Sequence, residues 1–149
     1  MNTNEMIKAT GRLNIQVIGP DGTIKDDQTV DNLVVSVGLN FIASRIRDAS
    51  AAVMSHMAVG SGSGTAAANN TALGTELGRV ALTSTVATNN AVAFVATFGA
   101  GVGTGAVTEA GLFNASTEGV MLCRTVFGVV NKEAADTMSI TWTVTIGAA

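Results

Sequence analysis

Arg12-Leu-Asn-Ile-Gln-Val-Ile18 alternates polar and apolar positions, which places Leu13, Ile15 and Val17 on one face of an extended strand. Gly19-Pro-Asp-Gly22 follows with turn chemistry: Pro presets φ at a first central position and Gly accepts a positive one. A second strand is expected to return from Ile24 to about Val30 and complete a hairpin. From Asn32 the period changes. Leu39, Ile42 and Ile46 recur at helical spacing, flanked by Val35 and Phe41, and predict a helix from about Val35 to Arg47. Arg45 and Arg47 fall in its last turn, where cations suit the helix dipole, while Gly38 weakens the first turn by about 1 kcal/mol relative to Ala.

Beyond the helix the pattern is that of strands and turns. Met54 to Val59 reads as a third strand, and Gly60-Ser-Gly-Ser-Gly64 with Ala66-Ala-Ala-Asn-Asn70 reads as a long surface loop. Arg79 to Thr88 and Ala91 to Phe98 form a second hairpin about Asn89-Asn90. Gly99 to Gly105 is a flexible bridge, and Val107 to Asn114 and Gly119 to Phe127 are two further apolar runs joined near Ser116-Thr-Glu118. The last strand alternates from Asp136 to Ile146, with Met138, Ile140, Trp142, Val144 and Ile146 on one face and Thr and Ser on the other. About eight strands and one helix, without alternating strand and helix order, predict a mainly-β chain: a single antiparallel β-sandwich, jelly-roll-like, over residues 11–149. Residues 1–10 carry no cap or turn signal and are expected to form an N-terminal arm. In an assembly such an arm can add a strand to a neighbour, which makes Met6, Ile7 and Lys8 candidate contact residues.

Composition adds a constraint on the surface. Ala, Thr, Val and Gly supply 77 of the 149 residues, and charged residues only 13%, about half the usual share. The surface is therefore covered by Thr, Ser and Asn rather than by charge, which suits a protein partly hidden in an assembly. A net charge of −3, with no cationic cluster beyond Arg45 and Arg47, argues against nucleic-acid binding. No apolar run approaches the length of a membrane span, and the first residues lack the pattern of a signal peptide, so synthesis in the cytoplasm is expected.

Candidate chemistry is sparse. His56 is the one histidine available as a base, between Ser55 and Met57, and a histidine hydrogen-bonded at a sheet edge is the plainer reading. One histidine and one cysteine leave closed zinc sites out of reach of a single chain. Asp26, Asp27 and Asp31, or Glu118, Glu133 and Asp136, lack the spacing of a calcium loop and read as solvated turn residues. Gly62-x-Gly64-x-x-Ala67 and Gly101-x-Gly103-x-x-Ala106 meet a loose dinucleotide pattern, but neither opens a helix in a strand–helix–strand unit. Cys123, in an apolar run, is expected to be a buried thiol. The aromatics fall on runs that read as core, which weakens a glycan-binding reading. No catalytic residue, cofactor or metal is expected.

Three stretches carry a resemblance: Asp31-Asn-Leu-Val-Val-Ser-Val-Gly-Leu-Asn-Phe-Ile-Ala-Ser-Arg45; Ser55-His-Met-Ala-Val-Gly60 through Thr71-Ala-Leu-Gly74; and Gly105-Ala-Val-Thr-Glu-Ala-Gly-Leu-Phe-Asn114 with Met121-Leu-Cys-Arg-Thr-Val-Phe127 and the Trp142 strand. Their order, from about Gly11 to Ile146, resembles small virion structural proteins of tailed bacteriophages and is similar to capsid decoration, or cement, proteins. The resemblance implies a jelly-roll-like homo-oligomer, often a homodimer, bound to the major capsid protein on the outside of the head. Its contacts would be the arm and two glycine-rich loops, with Ser61, Ser63, Val102 and Thr104 as candidate residues beside Met6, Ile7 and Lys8. A tail-fibre, neck or other tail-associated role, or a receptor or glycan-binding module, is the alternative.

Overall fold

A computed structural model describes residues 6–148 of the chain. The first hairpin forms as its alternation requires: β1 (Ile7–Ile18) pairs antiparallel with β2 (Ile24–Val34), Leu13 opposite Val30 and Ile15 opposite Gln28. The helix α1 (Ser36–Arg47) matches the expected span, with Arg45 and Arg47 in its last turn. Gly38 is not merely tolerated there. A Cβ at this position would meet the Leu122 carbonyl, so the glycine lets α1 lie directly on the backbone of a strand.

The remaining strands are β3 (His56–Gly60), β4 (Glu76–Ala81), β5 (Ser84–Thr88), β6 (Ala91–Phe98), β7 (Gly105–Phe113), β8 (Met121–Lys132) and β9 (Thr137–Ala148). They form one antiparallel sheet in the order β4-β3-β7-β8-β2-β1-β9-β6-β5, curled into a half-barrel. The curl makes the architecture sandwich-like, because β2 joins two halves: its length pairs with β1, but only Leu33 and Val34 pair with β8. The facing inner surfaces meet in one core, with Leu13, Phe94, Ile140 and Trp142 from one half and Met57, Val59, Leu112 and Cys123 from the other. The alternation of β9 is realised over its length, Trp142 lying opposite Leu13 on one side and Phe94 on the other.

Two expectations change. Arg79 to Thr88 is not one strand. The run kinks at Leu82-Thr83 and divides into β4 and β5, which lie at opposite ends of the sheet order, so the described residues form nine strands rather than eight. Leu82 donates to the Ser55 carbonyl in one half and Thr83 to the Val95 carbonyl in the other. The core-facing parity changes at the kink, from Val80 and Leu82 to Thr85 and Ala87, but Val80, Leu82 and Val86 keep one parity along the chain, so the sequence carries no mark of it. The arm is also shorter than residues 1–10: Ile7 to Thr10 belong to β1 and pair with Ala148 to Thr145. The first five residues of the expected arm lie outside the described residues.

Candidate functional site

The outer face of the β3-β7-β8 half carries the most concentrated polar chemistry. Glu109 on β7 and Arg124 on β8 project to this face, and both are buried. Arg124 donates from Nη2 and Nε to Glu109 Oε2 at 2.7 and 3.1 Å. The same carboxylate accepts the backbone N–H groups of Gly62, Gly74 and Thr75 at 2.9, 2.9 and 2.8 Å. Arg124 reaches further, donating to the Gly64 carbonyl and to Asn70 Oδ1. Burial pushes the Glu109 carboxyl up, but the donated bonds from Thr75, Gly74, Arg124 and Gly62 prevail and hold it below its ordinary value.

This arrangement fixes the glycine-rich segment expected to be a free surface loop. Residues 61–75 lie across the outer sheet face, and Leu73 packs on a second small core of Val35, Ala58, Phe113 and Met121. Ser36 N–H at the start of α1 donates to the Ala68 carbonyl. The glycines serve close approach. A Cβ on Gly62 would lie 2.5 Å from Glu109 Oε1, whereas one on Gly64 would meet nothing within 4 Å.

Several other ionisable groups are also engaged. Arg79 on β4 bonds Glu76 and the carbonyls of Ala115 and Glu118, with its guanidinium 3.7 Å from the Phe113 ring centroid. Asp136, expected as a solvated turn residue, is buried; it accepts from Lys25 Nζ at 2.7 Å and from Glu133 N–H, and these bonds lower its pKa. Lys132 is buried and donates to the Gly99 carbonyl. His56 opens β3, which is flanked by β4 and β7, so it is not at a sheet edge as expected. Its Nδ1 lies 2.8 Å from Ser55 Oγ. Among the described residues nothing bonds its other ring nitrogen, and no group of three or more His, Cys, Asp or Glu side chains is arranged to hold a metal. Cys123 is buried as expected, which pushes its thiol pKa well up.

The candidate contact residues do not converge on one spot. Met6, Ile7 and Lys8 are exposed at the start of β1, beside the C-terminal end of β9. Val102 and Thr104 are exposed in the bridge near the opposite end of β9, where Gly101 donates to the Ala134 carbonyl. Gly103 between them packs on Val59 and Phe98 with positive φ. Ser61 and Ser63 are exposed on the locked loop, and Ser61 N–H donates to the Thr75 carbonyl.

A broader surface stands out instead. On the outer face of β5, β6 and β9 the outward positions are Ser84, Val86 and Thr88, then Ala91, Ala93, Val95 and Thr97, then Ser139, Thr141, Thr143 and Thr145. None is charged. Charge returns only across β1 and β2, where Arg12 pairs with Asp31 in an exposed contact that contributes little. No family model, curated protein or solved structure matches the chain. The functional reading therefore rests on residues and geometry. Glu109 and Arg124 were missed in the sequence, yet a signal was there: each is the lone charge in an apolar run, the two are of opposite sign, and the runs are consecutive strands.

Proposed function

We infer that this chain is a non-catalytic structural protein of a bacteriophage virion, a decoration or cement protein that binds the major capsid protein lattice on the outside of the head. The observation that carries the reading is the uncharged outer face of β5, β6 and β9. Surfaces covered by another protein are depleted of charge at their centre, whereas a free soluble surface is normally rich in it. A stiff curled sheet presents such a face with little left to order on binding.

The mechanism needs no reaction. A ligand that binds the assembled lattice and not its dissociated subunits stabilises it by RT ln(1 + L/Kd) per site, where L is the free concentration. At 100-fold above Kd this is about 2.7 kcal/mol for each copy, repeated over the lattice. The test is the copy number in purified particles, measured against the major capsid protein by quantitative mass spectrometry. About one copy per capsid subunit is the expected result. A handful of copies per particle overturns the decoration role and assigns the protein to the tail or neck, and absence from particles removes the virion reading altogether.

A further inference from the structure

Among the described strands the sheet ends on two free edges, β4 and β5, and the chain treats them differently. On β4 the edge carries Glu76 and Arg79, and its register with β3 shifts at Gly60. Charge and irregularity of this kind discourage another strand from adding. On β5 there is no such device. Ser84-Thr-Val-Ala-Thr88 has no charge, no Pro and no register shift, every residue is exposed, and among the described strands only β6 pairs with it. Alternate backbone N–H and C=O groups along its other side therefore point away from the sheet.

A second feature runs along the same border. A groove of about 400 Å³ opens beside β5, with Thr85 on one wall and Ile42, Arg45 and Val53 on another, and it reaches Met54, Phe94 and Leu122 of the core. Val53 is 58% exposed and Val86 55% exposed, high values for valines flanking one edge. A strand laid against β5 pairs the free backbone groups and covers this groove together.

The geometry points to a second copy of this chain as that strand, with β5 paired antiparallel to β5 across a two-fold axis at Val86. The sequence is self-complementary in this register: Ser84 lies opposite Thr88, Thr85 opposite Ala87, and Val86 opposite itself. Hydroxyl pairs and a Val–Val pair are favourable cross-strand neighbours, and no like charges meet although the molecule carries −3. The contact is isologous, so it consumes both β5 edges and closes at two copies. It is also small, at the low end of interface size, so association is reversible and concentration-dependent. The inference does not depend on the virion reading.

Sedimentation velocity on the recombinant full chain, from micromolar to millimolar, tests it. The wild type is expected to show a monomer–dimer equilibrium. Val86→Lys should weaken the dimer at least tenfold with unchanged circular dichroism, and Val129→Lys, at an equally exposed valine on β8, should leave it intact. Paired Cα atoms in an antiparallel ladder lie about 4.5–5.5 Å apart, within disulfide range. Val86→Cys should therefore form a covalent dimer under mild oxidation and Val129→Cys should not, native Cys123 being buried. A wild type monomeric throughout, a dimer indifferent to Val86→Lys, or open-ended polymers would each overturn the proposal.

Discussion

Replacing Glu109 by Gln is the sharpest test of how the loop over the outer face is held. The side chain is fully buried and accepts five hydrogen bonds, three from backbone N–H groups and two from Arg124. Gln keeps one acceptor oxygen and turns an NH2 toward donors, while Arg124 loses its counter-charge at 4% side-chain exposure. Breaking a buried pair by removing one partner costs about 3–5 kcal/mol. For a chain of this size that lowers Tm by about 6–20 °C. Urea unfolding of Glu109→Gln, Arg124→Met and the double variant measures it, and the double variant should be more stable than the sum of the single losses predicts, by more than about 1 kcal/mol. A Glu109→Gln loss under about 1 kcal/mol, or strict additivity, refutes the reasoning. The pH dependence has a defined sign. Because the folded carboxyl is held below its ordinary value of 4.5, its contribution is complete above that pH and is lost as pH falls from there toward the depressed folded value. The Gln variant should lack this component of acid unfolding.

Three further outcomes follow from local geometry. Gly62→Ala should cost about 1–3 kcal/mol, since its Cβ would press on Glu109, while Gly64→Ala, facing open space, should stay within about 0.5 kcal/mol of wild type in the same urea assay. Trp142→Phe removes the donor bonded to Asn32 Oδ1 at 2.9 Å and leaves a cavity beneath an Asn32 whose Nδ2 is already unpaired; a loss of about 2–4 kcal/mol is expected by thermal unfolding. The Cys123 thiol should react with a disulfide reagent only at the rate of unfolding, and rapid labelling of the native protein would contradict its burial.

The elements legible in the sequence were those whose period is set by one buried face. Leu13, Ile15 and Val17, and Met138 through Val144, face a single core, so β1 and β9 followed from alternation and β2 from the turn at Gly19-Pro-Asp-Gly22; α1 lies where Leu39, Ile42 and Ile46 predict it, but Leu39 and Ile46 are exposed and its core contact is made by Phe41 and Ile42. The division of β4 from β5 left no mark, because the kink at Leu82-Thr83 reverses which parity faces the core while the apolar residues Val80, Leu82 and Val86 keep one parity along the chain. Residues 109–113 of β7 and 121–125 of β8 are buried on both faces, so these stretches read as apolar runs in which a charged pair looked incidental. The fixed loop was misread for a related reason. Glycine permits mobility and close approach alike, and only the buried carboxylate beneath Gly62 and Gly74 decides between them.

That distinction bears on binding. A mobile loop reaching a partner through Ser61 and Ser63 would lose its conformational freedom on contact, about 1–2 kcal/mol for each backbone residue ordered. Here Glu109 and Arg124 order it within the fold, so the cost falls on folding rather than on association. If those serines touch the capsid lattice, Glu109→Gln should weaken attachment to heads even below the temperature at which the variant unfolds, although neither serine is altered. Ser61→Ala and Ser63→Ala, which leave the backbone bonds in place, should weaken it less. Binding of the Gln variant at wild-type affinity, measured by co-sedimentation with heads lacking the protein, would show that the loop takes no part in the contact and would leave the uncharged outer face of β5, β6 and β9 as the surface to mutate next.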